Sequence, residues 1–183
     1  IGCGTPAGGG GSMAFEDDRG DLIRKLDLER TTLIAALQEF DDESASRPAP
    51  NDEWSVKQQL AHLATTERLY AECVRRAVSE DGADTSALWP TSQEPTDFTE
   101  AQSRPLADLT ADVAAARQET LELVAGLQPG DWDKRGANTP FGDLTVGQFL
   151  KSLYRHDRMH IDQISGREPS FKPRLTDPNR MRL

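Results

Sequence analysis

The chain has 183 residues, 36% of them hydrophobic, and its 21 Lys and Arg stand against 31 Asp and Glu for a formal net charge of −10. That length suits one domain with a real core, the acidic balance repels any phosphate backbone, and no apolar run approaches the roughly 20 residues that span a bilayer. Membrane insertion therefore has no support, nucleic-acid binding would need a strong local basic patch, and a soluble, cytoplasmic protein is the default expectation.

The first twelve residues, IGCGTPAGGGGS, read as an expression tag with a Gly-Ser linker that stops before Met13. Residues 13–183 are expected to form a single domain with a C-terminal tail from about residue 167. Cys3 lies in the tag-like segment and leaves Cys73 alone. An internal disulfide framework is thereby excluded, and a reducing compartment is expected.

Four segments carry helical periodicity and none carries the two-residue alternation of a strand, so the spacing predicts an all-α fold. Helix one, about Phe15 to Asp42, sets Leu22, Leu26, Leu33, Leu37 and Phe40 on one stripe and ends at the proline-bearing DDESASRPAPNDEW. Helix two opens at Ser55 with Gln58 three residues on, a capping box, and runs to about Glu80 with Val56, Leu60, Leu63, Tyr70 and Val74 on its apolar side. The polar stretch from Asp81 to Ser103 has no periodicity and predicts a long connection between helices two and three that crosses an end of the domain or edges a pocket. Helix three follows Pro105, with Leu106, Leu109, Val113, Ala116, Leu123 and Leu127 on one face, and QPGDW ends it. Helix four opens at Thr145 with a second capping box to Gln148 and reaches about Ser165, with Gly166 as its C-terminal cap. WSVKQQL and LTVGQFL begin helices two and four alike, which fits either two independent caps or a bundle of two similar helix pairs.

The chain holds three histidines. His156 and His160 are four residues apart, so on a helix their rings leave one face about 6 Å apart along the axis, a spacing that suits two ligands meeting on one cation. That spacing alone is weak. His62 falls on the line His62, Thr66, Leu69, Cys73 of helix two, while His156 and His160 share the line Phe149, Leu153, His156, His160, Ile164. All three should point to the bundle interior, where neutral imidazoles converging on a divalent ion would satisfy one another. The residues also leave open a lone core His62 bonded to a carbonyl beside a half-buried pair on helix four.

HDRMH has the outline of a zinc-protease helix, but Asp157 is one methylene short of the glutamate that chemistry uses, and it points about 100° from His156. A salt bridge or a supporting contact to the site is its expected role. Gln163 faces either the metal cavity or solvent. Cys73 reads as a core cysteine, Trp54 and Trp132 as packing at the ends of the bundle, and Trp89 and Phe98 as candidates for a pocket mouth. The tail FKPRLTDPNRMRL carries Lys172, Arg174, Arg180 and Arg182 and reads as a surface-hugging or frayed segment rather than a nucleic-acid arm.

WSVKQQLAHLATTE followed by GDLTVGQFLKSLYRHDRMHIDQI, with DWDKRG before the last helix, resembles the DinB-like family of metal-binding four-helix bundles over Met13 to about Arg167. The resemblance implies a four-helix bundle with a long crossover, a divalent metal on His62, His156 and His160, and a homodimer. It also implies a relation to metal-dependent transferases and isomerases that use low-molecular-weight thiols, among them mycothiol-dependent maleylpyruvate isomerase. An Ala-, Asp- and Arg-rich composition points to a high-GC bacterium and hence to mycothiol. Zinc or nickel is the expected metal, with iron or manganese next. The expected function is activation of such a thiol for transfer or isomerisation. The rival readings are a non-catalytic metal-binding dimer and a metal-dependent hydrolase.

Overall fold

The computed structural model describes residues 10–49, 54–90, 95–172 and 174. Four helices dominate it: α1 (Gly10–Ala36), α2 (Val56–Ser79), α3 (Leu106–Gly126) and α4 (Val146–Ile164). α2 packs on α3 and α4, and α1 lies mainly against α4. α1 begins inside the segment read as linker and gives way to a 3-10 turn at Leu37–Glu39. Residues 1–9 and all of the tail beyond Arg174 lie outside the described residues.

The two capping boxes form as the sequence predicts. Ser55 N–H donates to Gln58 Oε1 at 2.9 Å and Gln58 N–H to Ser55 Oγ at 3.2 Å. Thr145 and Gln148 repeat the exchange at 2.8 and 3.1 Å. Each box satisfies two orphan donors of a first turn and so sets where α2 and α4 begin, which fixes the faces that carry the histidines.

The all-α expectation needs one correction. A small sheet, ordered β1-β2-β3, joins β1 (Ala83–Asp84), β2 (Arg135–Thr139) and β3 (Gly142–Thr145). β1 runs parallel to β2, with Ala83 opposite Gly136, and β2 antiparallel to β3, with Gly136 opposite Leu144. Strands of 2, 5 and 4 residues are too short for alternation to register in the sequence. Short elements also occupy the segment between α2 and α3: β1, a 3-10 turn at Ser86–Leu88 and a 3-10 run at Pro95–Ser103. Close approach dictates glycine at two positions: a Cβ on Gly136 would lie 2.9 Å from the Phe149 ring, and one on Gly147 2.7 Å from the Trp132 indole nitrogen.

The core falls into two parts. One gathers Leu22, Leu26, Val74, Val124, Phe149 and Leu150, the other Leu33, Leu60, Val113, Ala116, Ile161 and Ile164. On α3 the fully buried position is Val124 rather than the predicted Leu123, which is half-buried. Between the two parts lies a layer of buried charge, one residue from each helix: Arg30, Glu67, Arg117 and Asp157. Among the described residues no helix is long and apolar enough to cross a membrane.

Candidate metal centre

His62 descends into the bundle from α2, and His156 and His160 face it from α4. His62 and His160 are 6% and 5% exposed, and His156 is half-buried. The Nε2 atoms of His62 and His156 are 2.9 Å apart, those of His156 and His160 3.1 Å, and one ring nitrogen from each of the three lies within 4.8 Å of the others. The interior convergence expected from the two stripes is what the structure contains.

Burial holds all three imidazoles in the neutral form. It pushes His62 and His160 well below the ordinary histidine value, helped by their histidine neighbours. It pushes His156 down to about 4, with the Arg30 guanidinium acting in the same direction. Gln59 Oε1 lies 3.0 Å from His160 Nδ1 and is placed to accept its proton, which leaves the Nε2 lone pair aimed at the centre. Thr66 Oγ1 stands 3.5 Å from His62 Nδ1.

This donor set fits a divalent cation. With the His160 proton on Nδ1, at most a single N–H on His156 would have to serve both neighbours. An ion among them instead accepts all three lone pairs, and two nitrogens held about 2.1 Å from one ion stand about 3.0 to 3.4 Å apart. The observed spacings of 2.9 and 3.1 Å lie just below and just inside that range.

One side of the triad opens on a cavity of about 420 Å³ walled by Trp54, Tyr70, Trp89 and Phe141, with Gln163 and Met159 from α4. Trp89 is at the pocket, as the sequence suggests. Trp54 departs from its expected role, because its indole packs 5.2 Å from the His62 ring and forms part of the cavity wall. Phe98 packs 5.5 Å from His62 on a further side. Trp132 is end packing as expected, edge-on to Phe15 at 5.7 Å. Cys73 is fully buried, and burial pushes its thiol up to about 12, so it behaves as a core residue.

Asp157, next to His156 in sequence, faces the charge layer. Arg30 grips its carboxylate with two hydrogen bonds of 3.1 and 3.0 Å, and Arg117 Nη2 adds a third at 3.0 Å. Both arginines also bind Glu67, and each caps a backbone carbonyl, Arg30 that of Val113 and Arg117 that of Leu26. Burial pushes the Asp157 carboxyl up against the pull of the two guanidiniums. The salt-bridge role predicted for Asp157 is the one it has.

Gln59, Arg30, Glu67 and Arg117 escape a reading of the sequence centred on histidine. The signal for the last three is an ionisable residue interrupting an apolar stripe once per helix, as Arg30 does between Leu26 and Leu33. Gln59 hides behind Gln58, whose capping role accounts for the glutamine pair at first sight.

Residues 25–164 match the model of the DinB superfamily. The chain belongs to that superfamily. Among solved structures, YfiT from Bacillus subtilis, described as a probable metal-dependent hydrolase with an unusual four-helix bundle topology, is similar at a TM-score of 0.70 and 15% identity, over 80% of this chain and 83% of that one. At such identity the likeness shows the four-helix bundle fold. No curated protein matches the chain.

Proposed function

We propose that this DinB-superfamily protein is a metal-dependent enzyme that binds a divalent ion through His62, His156 and His160 and acts on a low-molecular-weight thiol, transferring it to an electrophilic small molecule or isomerising that molecule. Zinc or nickel is the first choice of metal and iron or manganese the next. The observation that carries the reading is three neutral imidazole nitrogens, spaced by 2.9 and 3.1 Å, at the wall of an open cavity. A divalent ion held by neutral ligands keeps its full charge and a free position, and it supplies a Lewis acid that makes a thiol or water ionise near neutral pH.

The protein's own residues favour a thiol over water. No carboxylate among the described residues lines the cavity, and Asp157 is engaged by Arg30 and Arg117. Hydrolysis would need a base to manage the protons of water, whereas a thiol with an ordinary pKa of about 8.5 needs little help to ionise. Gln59 orients His160, and Trp54 and Phe98 shield His62 from solvent. Tyr70, whose phenol burial holds above its ordinary range, is a further wall residue.

The deciding experiment incubates metal-loaded protein with mycothiol or bacillithiol and a panel of electrophiles, beside His160→Ala. Turnover in the parent and none in the variant is expected; equal turnover in both sinks the proposal. A hydrolase is the second reading, favoured by the description of YfiT, and ester or amide turnover without thiol would select it.

A further inference from the structure

We propose that the cavity beside the histidines is built for a small molecule with a flat apolar body and one anionic group, the body lying among Trp89, Phe141 and Phe171 and the anion on Arg174. The inference deepens the proposed function by naming its substrate class, but the binding it describes does not require the metal.

The first observation is the path of the chain after α4. Gly166, at φ 68°, reverses the backbone, and Asp162 then ties the following residues down. Its carboxylate accepts from Arg167 at 3.0 and 3.2 Å, from Ser170 N–H at 3.0 Å and from Ser170 Oγ at 2.8 Å. That anchorage sends the next residues back over the cavity, so Phe171 and Arg174 become part of its lining. The Arg155 guanidinium sits 5.9 Å from the Phe171 ring and holds it from outside.

The second observation is charge. In a chain of net charge −10, no Asp or Glu among the described residues lines this cavity, and Arg174 is its one permanently charged wall residue. Arg174 forms no ion pair with any described residue, although the same surface pairs Arg167 with Asp162 and Lys172 with Glu168. A guanidinium with no ion-pair partner among the described residues, at a mouth with no described acid, selects for a carboxylate, phosphate or sulfonate.

The third is the shape of the walls. Trp89 stands T-shaped to both Tyr70 and Phe141, at 5.3 and 5.6 Å, and all three aromatic residues line the space. The volume of about 420 Å³ lies within the usual range for small-molecule sites.

The test uses 2-naphthoate and its neutral counterpart 2-naphthamide, titrated by calorimetry at neutral pH into the full chain, both stripped with EDTA and loaded with zinc. The naphthoate should bind about tenfold tighter than the amide in both forms. Arg174→Gln should abolish that preference and leave the amide unchanged, and Phe171→Ala should weaken both probes. Arg174 is exposed, so its replacement leaves the fold intact. Equal affinities in the stripped protein, or no binding of either probe, overturn the inference. A preference seen only with zinc and surviving Arg174→Gln also overturns it, by placing the anion on the metal, while supporting the metal centre. A preference that persists in protein unable to take up zinc supports the inference and defeats the metal reading instead.

Discussion

His156 and Asp157 are neighbours on α4, yet they belong to two buried polar clusters of opposite character. Consecutive residues on a helix point about 100° apart, so one helix serves both. The charge layer is closed: two guanidiniums meet two carboxylates with side chains at most 5% exposed, and Nη1 of each arginine reaches a backbone carbonyl. The histidine cluster is open. Its three Nε2 atoms crowd together at 2.9 and 3.1 Å with too few protons to satisfy every contact, and one side gives onto a cavity. Polar groups that complete one another in a core hold the fold together, whereas polar groups that remain incomplete mark where something else binds. Burial alone does not separate the two clusters; the count of donors against acceptors does.

The sharpest way to break this contrast is to remove one ligand. His160→Ala should lower metal affinity by at least about 100-fold, taking the protein from about one ion per chain to almost none. Elemental analysis of protein purified without a metal-affinity step reads the result. Full occupancy in the variant would mean that the cluster is as self-contained as the charge layer.

The converse test acts on the layer. Glu67→Ala should cost about 3–5 kcal/mol in denaturant unfolding, because it strands Arg30 and Arg117 with one carboxylate between them. Replacing all four charges by apolar residues of similar volume should restore much of that loss. The two halves of the core would then merge, and metal affinity should change far less than in the histidine variant. A Glu67→Ala protein of parental stability would show that the layer contributes nothing.

How far each cluster is legible in the sequence follows from the same contrast. The helices that build the site announce themselves: Ser55 with Gln58 and Thr145 with Gln148 cap α2 and α4 where the sequence places them. The triad is legible because each histidine shares a stripe with leucine, phenylalanine or isoleucine. The charge layer is written in the same stripes, but pairing its members requires knowing which helices face one another, a long-range fact. The sheet fails for a related reason: β1 pairs with β2 across about fifty residues, and neither strand carries a pattern of its own. Trp54 looks like end packing because it precedes a cap. What the sequence does not show is Phe98, from the 3-10 run, packing against both the Trp54 and His62 rings.

Smaller in effect than either His160→Ala or Glu67→Ala is the loss expected at Gln59, fully buried on α2 and bound to His160 Nδ1. Gln59→Leu keeps the volume and removes the acceptor that fixes the ring. Metal should bind about 10- to 100-fold more weakly, about 1.4–2.7 kcal/mol, with the three ligands all present. A competition titration with a chelator measures it. Unchanged affinity would remove Gln59 from the centre and leave the orientation of His160 to packing.

The smallest effects should come from the caps, and they too divide the molecule. Ser55 is 1% exposed, and its Oγ accepts from Gln102 Nε2 at 3.0 Å as well as from Gln58 N–H. Thr145 is half-buried, and its cap serves its own helix. Cap removal ordinarily costs about 0.5–2 kcal/mol. Ser55→Ala should fall near the upper end, since it also leaves the Gln102 amide without that acceptor, and Thr145→Ala should fall near about 1 kcal/mol. Both substitutions act at least seven residues from the nearest histidine, so metal affinity in the folded protein should hold. Equal losses at the two caps would show that Gln102 adds nothing to Ser55. A fall in metal affinity with Ser55→Ala would mean that the start of α2, and not only its packing on α4, sets the position of His62.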